Sequence, residues 1–569
     1  IGIDPNGDIV IMGVTNSSSA EGFPAFNGPY LNLKQPTDAF VTKFKADLSS
    51  IIYSTYYGSD AAGSNSGKDI AYCGAVDKVT GNVTFAGSTK GVVPAVGGGD
   101  HTYHGNGDAF IAKLNGSGAV MYSRTLGGTK SEEVLDLVIV PNTEEAIVVG
   151  HTTSTDFPTT PGTIRPAMPK ILSLTQPPDT ITMEDGFVTK IATSGTTVFS
   201  SFIGADSSNE ICTGVALDRN NGIVIVGTTL SYNFTNQTNI DIFPFNAFLY
   251  GRGYRSNNTT PSTIDGFLVK INAAGNVLES GTLIGGSGHD RCLAVDVDKN
   301  GFAAICGSTT SSDFGATTYD FFLCVMKEGL VMKININGRP PSFSSYLGGT
   351  GSGDEEEMRS VKFDDKGSIA VCGVTNSTDF PGAAITDLPY KGGTSEGVVV
   401  QLKPDGSAAE YRSFLGGSSQ DECNAIALNS VGIYVTGITY SHDFPLVNKP
   451  SYSKQLLGFY DAFVMTLNSC TVFPQAASDT TVCAYKQLTL KNTATGTGTI
   501  HYIWEDAVTG SLTDTTTGEY TFVPTVPTKI TLTVKDDNCS KSVTYQISTM
   551  PVPTISSVSE RKTCIGTVL

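Results

Sequence analysis

Seven acidic residues stand at one recurring place in this 569-residue chain and are its first candidates for chemistry. Asp38, Asp108, Asp185, Asp265, Glu328, Glu396 and Asp461 open the runs DAFVTKF, DAFIAKL, DGFVTKI, DGFLVKI, EGLVMKI, EGVVVQL and DAFVMTL. Asp69, Glu132, Glu210, Asp290 and Asp421 follow a second recurring strand and fall on the same face. Carboxylates repeated around a ring supply the oxygen ligands that a hard cation such as calcium takes. The competing reading is that each acid caps its own turn, because a residue present in every repeat usually builds the repeat.

Other reactive groups are sparser. His101 and His104 (HTYH) have two-ligand spacing, but no further Cys or His accompanies them, and His151, His289, His442 and His501 lie elsewhere. The chain has no G-x-S-x-G elbow, Walker loop, HExxH helix or dinucleotide fingerprint. Acids are plentiful, yet no spacing singles out a carboxylate pair for glycoside hydrolysis. The expectation is therefore no catalytic residue and no cofactor, calcium apart. Cys212, Cys292 and Cys423 share one strand slot, Cys73 lies two residues further along its own strand, and Cys306 and Cys372 share another. Such placement favours packing, and a Cys292–Cys306 bridge would depend on hairpin register. Tyr232, Phe243, Phe245, Phe248, Tyr250 and Tyr254 gather in one long loop, where they would either pack together or stack on a ligand.

The apolar runs recur every 63 to 80 residues, and a period of this kind governs the fold. Each is followed by a strand ending in Gly (VMYSRTLGG), a third ending at an Asp turn (CLAVDVDKNG) and a fourth ending in Gly (AAICGST). Four-stranded antiparallel sheets repeated radially make a β-propeller. The acid-headed strand has no polar face, so it is expected innermost, with its acids circling the mouth of the central channel. Seven such strands predict seven blades. The chain opens on a third and a fourth strand and the repeats end on a first, so Asp461–Leu467 is expected to complete the blade begun at Ile1. That blade lacks a second strand, which is expected to come from upstream of Ile1.

The elements D-[AG]-F-V-x-K, Y-S-x-x-L-G-G, G-x-x-x-D-x-x-G and V-x-G-x-T-x-S-x-D-F-P resemble the bacterial SBBP β-propeller repeat. The D-F-P signature stands at Asp156-Phe157-Pro158, Asp379-Phe380-Pro381 and Asp443-Phe444-Pro445. The resemblance covers residues 1 to about 468 and implies a secreted or surface protein without assigning an activity. Propeller families that place a Trp in each blade fit poorly, since Trp504 is the only Trp.

Past residue 469 the chain turns Thr-rich, and alternating strands such as TIHYIWED and KITLTVKDD replace the repeat. Cys483, Trp504 and Cys539 follow the Cys…Trp…Cys order of immunoglobulin-like sandwiches. That likeness implies a Cys483–Cys539 disulfide with Trp504 as core anchor. The expected organisation is a propeller over 1–469, an immunoglobulin-like (PKD-like) domain over 470–551 and the start of a second over 552–569. The C-terminal pattern also resembles large surface proteins exported by the type IX pathway.

Net charge is −18, with 36 basic residues scattered among 54 acidic ones. That opposes nucleic-acid binding, which needs a concentrated basic face. No apolar run is long enough to span a membrane. The whole predicts an all-β extracellular structural or adhesive protein, its propeller a binding or display head on an immunoglobulin-like stalk. A carbohydrate-binding propeller is the alternative, and a polysaccharide hydrolase or lyase ranks behind it. Partners are expected among surface proteins or glycans and further immunoglobulin-like domains of the same chain.

Overall fold

The computed structural model describes the chain except residues 61–66, 169–183, 205–208, 231–262, 313–326, 338–340, 350–354, 381–387, 430–431, 446–455, 457, 468–479, 495–499, 536–539 and 551–569. It is all-β: among the described residues the one helical element is a 3-10 turn, Ser19–Glu21. The chain divides into two compact units, Ile1–Ser430 with Tyr434–Met465, and Val431–Ile433 with Thr466–Leu569.

The first unit is a succession of antiparallel sheets, the layout of propeller blades. Each takes consecutive strands in order, as in Glu132–Ile139, Ala146–Thr152, Asp185–Ile191 and Thr197–Ile203. Six sheets have four strands, and the last (Asp421–Leu428, Ile433–Thr439, Asp461–Leu467) has three. This corrects the expected strand order. The acid-headed strand is the third of its sheet, and the strand ending at the Asp turn is innermost. Neighbouring sheets stack face to face, so a middle strand is covered on both sides and reads as a continuous apolar run; Asp108–Leu114 is buried throughout. The inner strand faces a cavity and alternates.

The expected interleaved closure is also corrected. Asp461–Leu467 pairs within the seventh sheet, and the first sheet (Gly2–Ile3, Ile9–Thr15, Asp38–Phe44, Ile51–Tyr57) is drawn wholly from residues 2–57. Side-chain packing joins these two sheets instead, through Ile3, Ile9, Ile11, Phe40 and Phe44 against Ala427 and Tyr434.

The repeated residues account for the repeated geometry. The motif Lys reaches an acid of the neighbouring hairpin: Lys43 lies 2.8 Å from Asp4, Lys270 2.8 Å from Asp218, and Lys113 2.6 Å from Glu144. The first turn is held by its Asp, as where Asp298 Oδ1 accepts from Asn300 N (2.8 Å) and Phe302 N (2.9 Å) while Gly301 takes φ 80°. In the turn between third and fourth strands, Gly118 and Gly195 press on Tyr53 and Tyr122, aromatics of the preceding sheet's fourth strand. The first sheet has Leu48, at φ 57°, in that turn position. Its preceding sheet is the three-stranded seventh, which brings no such aromatic among the described residues.

Inner strands carry a β-bulge. One extra residue, Tyr72, Leu135, Thr213, Leu293 or Arg359, is inserted opposite the second strand. A second-strand glycine faces each bulge, and a Cβ on Gly87, Gly150, Gly227, Gly307 or Gly373 would overlap an inner-strand carbonyl. Bulges re-aim side chains and recur beside active sites; here they turn the inner strands toward the cavity.

The second unit has a five-stranded sheet, ordered Thr480–Cys483, Ser540–Met550, Thr528–Lys535, His501–Asp506, Leu512–Thr515, and a pair, Leu488–Lys491 with Glu519–Phe522. Trp504 is fully buried and its ring lies 5.6 Å from those of Tyr520 and Tyr545. Cys483 ends a strand, but Cys539 lies outside the described residues, and with it the expected disulfide.

Candidate functional site

The inner strands of the first unit surround a cavity of about 950 Å³, lined from all seven sheets. Its wall is mostly small or apolar, including Ala75, Val138, Ala216, Ala294 and Ala427. Six charged residues also line it, Asp77, Lys78, Asp136, Asp296, Arg359 and Lys362; of these, Asp136, Asp296 and Lys362 stand on the inner strands beyond the bulge.

Each sits just past a bulge. Asp136 pairs across to Val149, one residue after the inserted Leu135. Its Oδ2 accepts from Val215 N of the next sheet (2.8 Å) and its Oδ1 from Leu137 N (2.8 Å). Burial nevertheless pushes its carboxyl up to about 6, against the pull of those N–H groups and of the Lys362 ammonium, with the Asp296 charge adding to the rise. Asp296 Oδ2 accepts from Phe363 N (2.8 Å), and its Oδ1 lies 3.5 Å from Lys362 Nζ. Lys362 keeps 43 % of its side chain exposed, and Asp296 and then Asp136 hold its ammonium above the usual lysine range against the desolvation of the cavity wall. A carboxyl poised near neutrality, lining the same cavity as an ammonium, is a candidate for acid–base chemistry.

Arg359 occupies the bulge of the sixth sheet and is fully engaged. It lies 2.5 Å from Glu422, 3.1 Å from Glu357 and 2.7 Å from Asn424 Oδ1, with Lys327 2.6 Å from Glu357. His151 is bracketed by Glu184 (2.5 Å) and Glu133 (3.5 Å). Burial opposes its charge, but the two carboxylates raise it to about 9.

The seven repeated acids are not at the channel mouth. None lines the cavity. Asp38, Asp108, Asp185, Glu328 and Glu396 are buried, while Asp265 and Asp461 are half-buried. Those with described contacts hold loop N–H groups: Asp38 accepts from Lys34 N (2.7 Å) and Gln35 N (3.1 Å), and Asp108 from His104 N (2.8 Å) and Gly105 N (3.1 Å). Five of the seven, Asp108, Asp185, Asp265, Glu328 and Glu396, also face the acid heading the next sheet's inner strand, with a glycine between, as Gly127 lies between Asp108 and Glu132. Among the described residues no three ligating side chains gather as a metal site. His104 pairs with Asp100 at 2.8 Å and does not converge with His101 on a ligand set. The loop aromatics Tyr232, Phe243, Phe245, Phe248, Tyr250 and Tyr254 lie outside the described residues. Cys73, Cys212, Cys292, Cys306, Cys372 and Cys423 are buried free thiols; Cys306 faces Ala294, and Cys292 faces Gly307.

The D-F-P signature is architectural. Asp156 Oδ1 accepts from Thr129 N at 3.0 Å, and Phe157 lies 4.6 Å from Phe187. Asp136, Asp296 and Lys362 went unremarked in the sequence because their strand was placed away from the centre. Their signal was there: they are charges in a strand whose counterparts in other repeats are small.

No protein-family model matches the chain, and no curated protein matches it. Solved structures similar to it include a gluconolactonase from Xanthomonas campestris (11 % identity, TM-score 0.25, covering 58 % of this chain and 74 % of that one). Synechocystis apocarotenoid oxygenase is another (11 % identity, TM-score 0.30, covering 73 % and 91 %). Both are enzymes, and the expectation of a non-enzymatic structural adhesin is corrected on that finding. At these TM-scores no activity passes from either protein to this chain.

Proposed function

We propose that the seven sheets of the first unit close into a seven-bladed β-propeller of the SBBP type, and that its central cavity is an acid–base catalytic site for a small uncharged ester or lactone. The observation that carries this reading is Asp136: a cavity-lining carboxyl that burial pushes up to about 6 against the pull of the Lys362 ammonium. Near neutral pH such a group both takes and returns a proton. Asp136 would accept a proton from water as the oxygen adds to the carbonyl carbon, and Lys362 would stabilise the oxyanion. As the carbon–oxygen bond breaks, Asp136 would return the proton to the leaving alkoxide. Arg359 is already engaged by Glu357 and Glu422, so it has no role in this reading.

A structural reading is favoured by one observation: the bonds from Val215 N to Asp136 and from Phe363 N to Asp296 staple adjacent inner strands. The test separates the two. Aldonolactones and p-nitrophenyl esters are assayed with the wild type, Asp136→Asn and Lys362→Met. Catalysis predicts turnover that rises through pH 6 and falls at least about 100-fold in Asp136→Asn, and sharply in Lys362→Met, with melting temperature held. Loss of melting temperature without any turnover in the wild type would leave only the staple. The immunoglobulin-like reading of the second unit rests on Trp504 buried between strands, and the extracellular location rests on the repeat's resemblance; both belong to this proposal.

A further inference from the structure

The inserted bulge residue is the least repeated position of the inner strands. Tyr72, Leu135, Thr213, Leu293 and Arg359 fill it in five sheets. Asn424 holds the same place in the seventh, where a Cβ on Gly437 would overlap the Glu422 carbonyl. The residue just before it is buried each time: Ala71, Val134, Cys212, Cys292, Met358 and Cys423. That position packs between sheets, whereas all the bulge residues line the central cavity. A slot whose backbone is held constant while its side chain changes is free to serve what the cavity holds.

The slot is not filled at random around the ring. The third, fourth and fifth sheets supply Leu135, Thr213 and Leu293, and Leu135 directly precedes Asp136. Thr213 Oγ1 donates to Cys292 O of the next inner strand at 2.6 Å, so its proton is spent within the wall. The same three sheets add Val138, Ala216 and Ala294 to the lining. The sixth and seventh sheets differ: Arg359 Nη1 donates to Asn424 Oδ1 at 2.7 Å, and Glu357 and Glu422 hold the rest of the guanidinium. An apolar arc therefore stands beside Asp136, and a polar arc satisfied by its own ion pairs completes the far side. Pockets of about 300–1,000 Å³ take drug-sized ligands, so a cavity of about 950 Å³ has room for more than the reacting group.

We infer that Leu135, Thr213 and Leu293 are the specificity-determining residues of the cavity and receive an unbranched aliphatic arm of the substrate. The substrate class is then aliphatic lactones and esters, not polyhydroxylated ones. The inference rests on the catalytic reading of Asp136 for its reaction, but the arc itself acts in binding. An alkyl arm laid on these side chains gains by leaving water. A sugar hydroxyl in the same place would give up its water hydrogen bonds for nothing in return. Because Leu135 and Asp136 are consecutive, an arm held on the arc sets the attached carbonyl beside the carboxyl.

The test compares γ-butyrolactone, γ-octalactone with its butyl arm, and glucono-δ-lactone. Calorimetric titration of the full chain carrying Asp136→Asn reads binding without turnover, and kcat/KM is read in the wild type. γ-Octalactone is expected to bind at least about 20-fold more tightly than γ-butyrolactone, as when most of a butyl arm leaves water. Glucono-δ-lactone should bind no more tightly than γ-butyrolactone. Leu135→Asn and Leu293→Asn should each cut the preference for γ-octalactone at least about threefold. Asn424 fills the same slot in the seventh sheet, so the strand accepts that side chain; Leu293→Thr, matching Thr213, replaces any variant that does not fold. If the wild type turns over no lactone, the catalytic reading fails and the binding ratio alone decides the arc. A ratio near one, tighter binding of glucono-δ-lactone than of γ-octalactone, or a preference kept by the Leu135 and Leu293 variants would overturn the proposal.

Discussion

Replacing Glu396 by Gln should make the first unit more stable at alkaline pH and leave it unchanged in acid. Glu396 is fully buried at the head of Glu396–Leu402. Its Oε1 accepts from Lys391 N (2.5 Å) and Gly392 N (2.9 Å), while Oε2 has no hydrogen-bond partner among the described residues. Asp421 stands across Gly416, and its Oδ1 also lacks a partner among the described residues. Burial first, and then the Asp421 charge, push the Glu396 carboxyl from 4.5 to about 7. An acid raised on folding costs stability wherever the folded protein must ionise it. The cost is full above pH 7, shrinks as pH falls through the folded value and is gone below the unfolded value near 4.5. A shift of that size corresponds to about 3 kcal/mol.

Glu396→Gln keeps an acceptor for the two N–H groups and turns its amide nitrogen toward Asp421 Oδ1, so nothing is lost at low pH. Urea titrations at pH 8.5 and 4.5 give the difference between variant and wild type. Asp38, also raised to about 6, slopes both curves alike and drops out of that difference. The probe should be far-ultraviolet circular dichroism, since Trp504 reports on the other unit. A gain of 2–3 kcal/mol at pH 8.5 that vanishes at pH 4.5 is expected. An equal effect at both pH values, or destabilisation at pH 8.5, would refute the reasoning.

Gly307→Ala places a Cβ on the Arg291 carbonyl and should cost about 3 kcal/mol or block folding, read from the urea midpoint or the soluble yield. Trp504→Ala should cost 3–5 kcal/mol in the second unit, and in the wild type the emission of this single Trp should be blue-shifted and shielded from iodide. The six buried cysteines of the first unit should resist a disulfide reagent until urea unfolds them, because burial pushes every thiol up, Cys372 to about 12; fast labelling of any of them in the native protein would contradict the packing.

What the sequence made legible was what it repeated. The acid-headed strands, the Gly-ended strands and the Asp turns all form sheets where the spacing placed them. The order within each sheet was misread because continuous apolarity was taken to mark the centre. In stacked sheets it marks the middle strands, while the centre is wet on one side. That same exchange hid the candidate site. A residue kept in every repeat, such as Asp108 or Gly150, meets the same environment each time and so serves the scaffold. Chemistry that occurs once in a ring must come from a residue that departs from its counterparts. One place past the bulge the inner strands carry Cys73, Gly214, Ala294 and Ser360, and Asp136 alone among these five is ionised near neutrality. Two places further stand Ala75, Val138 and Ala216, against Asp296 and Lys362. In a repeat protein, function is sought where symmetry breaks.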